Sequence, residues 1–171
     1  MMILKLFLFL LPLALVAGEV VWSSDTKSGL SKEEHDKAIK EYVDENYPNE
    51  VKAWNKLNTV SLNGLMWQDN EDAKRVLRDW EGAKRYCEDL ELVGYSDWRL
   101  PYIKELLSIV DKTRNPAIKK EFRNTISSYY WSSTTLASNT SLAWIVLFLD
   151  GFQSYGNRTF STYVRCVRAG Q

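Results

Sequence analysis

The chain contains two cysteines, Cys87 and Cys166, which lie 79 positions apart behind an apolar N-terminus. Cysteines of small exported domains commonly pair in an oxidising compartment. Cys87 lies in a helix-like pattern and Cys166 in a strand-like one, which predicts a domain closed end to end by one disulfide. Free thiols and a metal site are the alternatives, although two cysteines without a usable histidine make a poor zinc ligand set.

Residues 1–18 have the form of a secretory signal peptide. Lys5 is the only charge, residues 6–16 are apolar apart from Pro12, and small residues precede a cleavage point after Gly18. The apolar run is shorter than the roughly 20 residues that a bilayer-spanning helix needs. We therefore expect export to the periplasm or cell surface without a membrane span after cleavage, and a retained N-terminal anchor is the alternative.

The charges of the chain are balanced, with 22 basic and 22 acidic residues. Cleavage after Gly18 removes Lys5 and leaves 21 basic against 22 acidic residues. Proteins that neutralise a phosphate backbone normally carry a strong basic excess. We therefore exclude nucleic acid as a partner, and the chain length fits one domain with a real core.

Residues 19–56 form a charged, partly helical N-terminal segment. Ser31 and Glu34 have the spacing of a capping box, which predicts a helix that ends near Asn46 and Pro48. The helix is predicted to be either a surface helix or spacer, or a helix that docks a partner. The only histidine, His35, lies in this segment and outside the main domain.

The main domain is predicted to span residues 57–171. Asn63-Gly64 between two apolar triplets predicts a two-residue β-hairpin. Asp79 is placed to cap a helix whose apolar residues recur at helical spacing, with Gly94 as its terminator. Pro101 fits the first turn of a second helix, which Asn115-Pro116 would end.

The last part of the chain has a β pattern. Residues 129–131 and 143–149 are predicted strands, and the second is apolar on both faces and so central. Asp150-Gly151 is a turn into a further strand, and residues 163–168 form one closing strand. A hairpin, two helices and then antiparallel strands make an α+β order.

Eight segments together resemble the Lcl C-terminal domain family, a group of bacterial exported domains of unknown function. They cover roughly 110 residues in the family's order. The segments are Gly64-Leu65-Met66-Trp67-Gln68, Trp80-Glu81-x-Ala83 with Tyr86-Cys87-x-x-Leu90, Gly94-Tyr95-Ser96-Asp97-Trp98-Arg99-Leu100-Pro101, Lys104-Glu105-Leu106, Tyr130-Trp131-Ser132-Ser133-Thr134, Ala143-Trp144-x-Val146-x-Phe148, Gly151, and Tyr163-Val164-Arg165-Cys166-Val167-Arg168.

This resemblance implies a C-type-lectin-like fold, in which two helices flank small antiparallel sheets and the terminal strands pair. It also implies a disulfide from the first helix to the last strand, where Cys87 and Cys166 lie. Some members of the family are surface adhesins on collagen-like stalks that bind sulfated polysaccharide. This chain has no Gly-x-y repeat, and a charged leader stands in its place.

Ligand contacts are expected on the end loops, namely residues 138–141, residues 151–158 and the polar stretch after Trp67. Hydroxyls that follow a tryptophan can rim a sugar site or cap a turn, and Arg99 can bind a ligand or pair with Glu105. Strand alternation places Arg165 and Arg168 on opposite faces, so no single arginine patch is expected. The candidate contact residues are Arg99, Ser132, Ser133, Asn139, Gln153, Arg158 and Arg165.

Calcium-dependent sugar binding and catalysis are not expected. The loop and strand motifs that hold calcium in lectins are missing, and Asp69, Asn70, Glu71 and Asp72 fit a solvated loop better than a metal site. A histidine base is missing from the domain, so only a carboxylate pair could support catalysis. No metal or cofactor is predicted, and the sequence does not indicate an oligomeric state.

Three functions remain open from the sequence. The first is an exported, non-catalytic recognition or adhesion module for a polysaccharide, such as a sulfated glycan, or for a surface protein. The second is a structural or assembly component of the bacterial envelope that docks a partner through the N-terminal helix. The third is a carboxylate-dependent enzyme.

Overall fold

The computed structural model describes residues 31–170 of the chain. The predicted signal peptide and the first part of the charged segment lie outside the described residues. The chain divides into two compact units, Met1–Asn46 and Tyr47–Gln171. The described part of the first unit is helix α1, Lys32–Asn46. The predicted capping box is confirmed, because Ser31 Oγ accepts from the Glu34 N–H while Glu34 Oε2 accepts from the Ser31 N–H.

The second unit opens with a helix that the sequence pattern does not predict, α2 at Pro48–Asn58. We read Pro48 as the end of the preceding helix, but it also occupies the first turn of the next one. Proline fits that position because the first N–H groups of a helix have no intrahelical partner. Glu50 in the first turn and Lys56 in the last complement the helix dipole.

The predicted hairpin follows as β1 (Thr59–Leu62) and β2 (Leu65–Gln68), which pair antiparallel. Asn63 and Gly64 both have positive φ, 55° and 72°, as a tight two-residue turn requires. A short 3-10 helix, Glu71–Lys74, and strand β3, Leu77–Arg78, come next.

Helix α3, Trp80–Glu88, confirms the predicted capping and the predicted buried face. The Asp79 carboxylate accepts from the Gly82 N–H at 2.7 Å. The helix nevertheless ends at Glu88, so Gly94 is not its terminator. Gly94 instead has φ of 80° in a turn in which Leu92 and Tyr95 exchange backbone hydrogen bonds.

Helix α4, Ile103–Ser108, begins two residues after Pro101. Trp98 and Leu100, which precede this helix, are buried. A connector of residues 109–128 then leads to the strands β4 (Tyr129–Leu136), β5 (Asn139–Leu147), β6 (Phe152–Asn157), β7 (Thr162–Tyr163) and β8 (Val167–Ala169).

The strands form two sheets, a three-stranded one in the order β1-β2-β8 and a five-stranded one in the order β3-β7-β4-β5-β6. All pairs are antiparallel except β4 and β7, which are parallel at Tyr130 and Tyr163. The unit is therefore α+β with small sheets, although not every pair is antiparallel as we expected.

β4 and the second half of β5 are buried on both faces of the five-stranded sheet, and β5 lies between β4 and β6, which confirms its central position. Trp131 and Ile145 pack on one side with Trp80 of α3. The neighbouring residues Tyr130 and Val146 pack on the other side with apolar residues of α4. Because strand residues alternate between faces, one sheet separates two apolar clusters.

The predicted single closing strand is wrong. β7 belongs to the five-stranded sheet and β8 to the three-stranded sheet, so residues 164–166 carry the chain from one sheet to the other. The disulfide between Cys87 and Cys166 is present and joins α3 to this crossover. Neither cysteine is a free thiol.

Candidate functional site

Arg165, one of the predicted ligand contacts, has no exposed surface. Its guanidinium pairs with Asp69 at 2.9 Å and also donates to the backbone carbonyls of Gln68 and Asn124. Asp69 in turn accepts from the backbone N–H groups of Arg123 and Asn124. The prediction that Asp69 lies in a solvated loop is wrong, and we no longer place Arg165 in a ligand site.

Ser132 is buried as well. Its hydroxyl donates to the Trp144 carbonyl at 2.8 Å, and its own carbonyl accepts from the Trp80 indole at 2.8 Å. The half-buried Ser133 donates its N–H and its hydroxyl to the Pro101 carbonyl. The hydrogen bonds of these two serines therefore connect β4 to β5, to α3 and to the segment before α4. Neither serine presents its hydroxyl to a ligand.

Arg99 lies beside α4 and forms the predicted pair with Glu105, with two nitrogen–oxygen distances of 2.8 and 2.6 Å. Burial opposes ionisation of Glu105, but the guanidinium and the Tyr102 N–H outweigh it and lower the pKa of the carboxyl. The Arg99 charge is thus already engaged within the domain.

Asn139 and Arg158 lie close together at one end of the five-stranded sheet. Arg158 stacks 4.0 Å from the Trp80 ring centroid, pairs with Glu81 and donates to the Thr140 carbonyl. Asn139 is exposed, and its side-chain oxygen accepts from both the N–H and the hydroxyl of Ser141. The side chains of Asn139 and Arg158 therefore stabilise turns of the domain, and few of their hydrogen-bonding groups are left for a ligand.

Gln153 lies near the opposite end of the sheet and lines an open groove of about 500 Å³ between α4, the connector and β6. The lining combines aliphatic, aromatic, cationic and amide groups, from Leu107, Val110, Lys112, Gly151, Phe152 and Gln153. The Lys112 ammonium lies 3.8 Å from the centroid of the Phe152 ring, and 61% of the Phe152 residue surface is exposed. Among the predicted contacts, Gln153 is the one that lines this groove.

Gly151 allows the connector to lie against the turn between β5 and β6. A Cβ built on Gly151 would come within 2.5 Å of Val110 Cγ1 and 3.1 Å of Lys112 Cγ. Its φ of 76° also disfavours any residue with a side chain. The wall of the groove therefore depends on glycine at this position.

The connector that borders the groove is strongly basic. Residues 109–128 contain five basic and two acidic residues, a net charge of +3 in a chain that is neutral as a whole. Lys112, Arg114, Lys120 and Arg123 are exposed. Within residues 31–170, none of the five basic side chains of the connector lies within 4.0 Å of a carboxylate.

Asp111 is one of the two acidic residues of the connector, and it lies near Arg114 and Lys119. Hydrogen bonds from the Thr113 hydroxyl and N–H lower the pKa of Asp111, and the charges of Arg114 and Lys119 act in the same direction. The carboxylate is thus ionised and held inside its own loop, where it neutralises only part of the surrounding positive charge.

A second open groove, of about 660 Å³, lies between β3, α3 and the loop after β6. It carries four carboxylates against two arginines, and burial raises the pKa of the Tyr86 phenol on its wall to about 12. No predicted contact residue lines it. Across the described residues, His, Cys, Asp and Glu side chains do not gather in threes suited to a metal ion.

Leu107, Val110 and Lys112 of the groove were missed from the sequence, whereas its other three residues lie in the segment 151–158 where contacts were expected. Phe152 and Lys112 are separated by forty positions, and their contact exists only because β5 and β6 fold back on the connector. The excess of basic over acidic residues in 109–128 was the sequence signal for this groove, because it can be counted without a structure.

Comparison with known proteins gives a family and distant structural likenesses. The sequence pattern of the Lcl C-terminal domain family matches residues 58–168. No curated protein matches the chain. The crystal structure of botrocetin, a snake venom protein with a C-type-lectin-like fold, superimposes with a TM-score of 0.42 at 11% identity, over 67% of this chain and 97% of that one. The helices described between residues 31 and 170 include none with the length and hydropathy of a bilayer-spanning segment.

Proposed function

The chain belongs to the Lcl C-terminal domain family, and we propose that it is an exported, non-catalytic recognition module with a C-type-lectin-like fold. Three features support this fold: β2 pairs with the C-terminal β8, two helices flank the sheets, and a disulfide ties α3 to the segment before β8. Export is supported by the disulfide, because such bonds persist in oxidising compartments.

The ligand that we propose is an anionic polysaccharide, such as a sulfated glycan, bound in the groove beside the basic connector. One observation carries this proposal: a groove with an exposed aromatic ring and an amide lies next to exposed cations that have no carboxylate partner within the described residues. Sugar rings pack on aromatic faces, amides bond hydroxyls, and ammonium groups attract sulfates.

The charge of the connector gives the groove its preference for anions. A net charge of +3 on one short segment attracts a polyanion over a distance close to the Debye length of about 8 Å at physiological salt. The larger groove has four carboxylates and two arginines, and this net negative charge does not attract a polyanion. The groove at Lys112 is therefore the better site for a sulfated chain.

The proposal is tested with dextran sulfate and unsulfated dextran of equal length, each titrated into the purified protein. We expect binding to the sulfated polymer that weakens as salt is raised, and much weaker binding to the unsulfated one. Equal affinity for the two polymers, or no binding to dextran sulfate at low salt, would refute an anionic glycan as the ligand.

A further inference from the structure

Strand β6 forms an outer edge of the five-stranded sheet, and no other strand of residues 31–170 pairs with its outer side. Its sequence, Phe-Gln-Ser-Tyr-Gly-Asn, contains no charge and no proline. Its pairing with β5 is regular over six residue pairs. Exposed edges are commonly protected by charges, proline or bulges, because their unpaired backbone groups can bind another strand. β6 has none of these protections.

The hydrogen-bond phase of the β5–β6 pair determines which backbone groups of β6 point outward. The Arg158 N–H donates to the Ser141 carbonyl at 3.1 Å, which makes these two residues a hydrogen-bonded pair. Hydrogen-bonded and non-hydrogen-bonded pairs alternate along an antiparallel ladder. Ser154 therefore directs its backbone groups toward β5, whereas Gln153 and Tyr155 direct theirs outward.

These outward groups are self-complementary about Ser154. If two copies pair antiparallel around a two-fold axis at Ser154, Gln153 of each copy lies opposite Tyr155 of the other. Both N–H and both carbonyl groups of Gln153 and Tyr155 are then satisfied in each copy, which gives four backbone hydrogen bonds in total. Ser154 meets its own copy at the axis, where the Cα atoms approach to about 4.5 Å.

The side chains fit the same register. Phe152 lies opposite Gly156 of the second copy, and an aromatic ring over a glycine is a favourable cross-strand pair. Tyr155 lies opposite Gln153 of the second copy on the other face. Phe152 and Tyr155 are 61% and 54% exposed in the single chain, so both gain burial on pairing. The strand carries no charge that would meet itself across the axis.

We propose that the protein forms a two-fold symmetric dimer through β6, in which the two five-stranded sheets join into one ten-stranded sheet. Such an interface is isologous, because the same strand of both copies supplies it. The occupant of the β6 edge is thus a second copy of this chain. The dimer does not require the proposed ligand, and the two would compete for the Phe152 ring, which both of them cover.

The dimer is tested by measuring the sedimentation of the purified protein at concentrations from about 1 μM to about 500 μM, a range that covers strong and weak self-association. We expect a transition to twice the chain mass. Ser154→Lys places two ammonium groups opposite each other at the axis and should raise the dissociation constant about tenfold or more. Ser96→Lys introduces the same side chain at an exposed loop position and should leave the constant unchanged.

Amide hydrogen exchange locates the interface by residue. The Gln153 and Tyr155 amides should exchange rapidly in dilute protein and become protected at high concentration. The amide of Ser154, which already bonds β5, should change little. A monomer at every concentration, an unchanged dissociation constant for Ser154→Lys, or protection absent at Gln153 and Tyr155 would each overturn the proposal. Protection of these amides only when an extended peptide is added would mean that the edge serves another protein.

Discussion

Arg165 Nη1 lies 2.9 Å from Asp69 Oδ1, and both side chains are almost wholly excluded from solvent. The pair connects the loop after β2 with the segment that crosses between the two sheets. Ions buried in this way are costly when one partner is lost, because the remaining charge has no water to stabilise it.

Asp69→Ala should lower the free energy of unfolding by about 3–5 kcal/mol, since it leaves the Arg165 guanidinium buried without its counter-ion. Urea denaturation at neutral pH measures the loss. Glu81→Ala, which breaks the partly exposed pair with Arg158, is the matched control and should cost less than about 1 kcal/mol. Equal losses for the two variants would contradict the assigned role of the buried pair.

Cys87→Ser should lower the unfolding free energy by roughly 4.5 kcal/mol, because the disulfide closes a loop of 79 positions in the unfolded chain. Cys166→Ser should cause a similar loss, and the double variant should be no worse than either single one. Thermal melts with and without a thiol reductant provide the measurement. An unchanged melting temperature under reduction would show that the bond contributes no stability.

Glu105→Gln should make the free energy of unfolding fall less steeply as the pH is lowered. The folded-state pKa of Glu105 is lowered from 4.5, so its stabilisation is present above that value and is lost as pH falls through the folded pKa. The Arg99 side chain is 38% exposed, which limits the expected loss at pH 7 to about 1 kcal/mol.

Urea denaturation at pH 7 and near pH 3 distinguishes this effect from a general loss of stability. The wild type and Glu105→Gln should converge at the lower pH. Glu91→Gln alters an exposed carboxylate that has no ion pair in the described chain, and it should match the wild type at both pH values. A constant difference between wild type and Glu105→Gln would show that the carboxylate charge is not the cause.

Lys112→Gln should weaken binding of dextran sulfate several-fold and reduce its salt dependence, because the ammonium lies on the wall of the groove. Lys52→Gln removes the same charge from an exposed position on α2 and should bind like the wild type. Titration calorimetry at two salt concentrations measures both effects. Equal weakening by the two variants would indicate attraction to overall charge instead of a site at the groove.

Local patterns in the sequence predicted the hairpin at Asn63-Gly64, the cap at Asp79 and the buried face of α3. Each of these features depends on residues within a few positions of one another, where propensity and hydrogen-bond geometry decide the outcome. The disulfide was also predictable, because the chain offers two cysteines and therefore one intramolecular pairing.

Features that depend on distant contacts were not predictable. The sequence pattern places Arg165 within one continuous strand. In the structure, the residues before it belong to the five-stranded sheet and those after it to the three-stranded sheet, so Arg165 lies in the crossover between the two. Asp69 appeared solvated because its neighbours are polar, and its burial follows from pairing with a residue 96 positions away. The groove at Lys112 has the same origin, since a turn and a connector from different parts of the chain form it.

The bond between Cys87 and Cys166 also determines how the domain would respond to mechanical tension. β2 and β8 are neighbours in one sheet, with Leu65 opposite Ala169, so a force that separates them acts first on the hydrogen bonds between those two strands. Once these strands part, the load passes along the covalent bridge and bypasses all residues between the two cysteines. Strands β4 to β7 and the groove, which all lie between the two cysteines, would then stay folded under a pull that has already opened the smaller sheet.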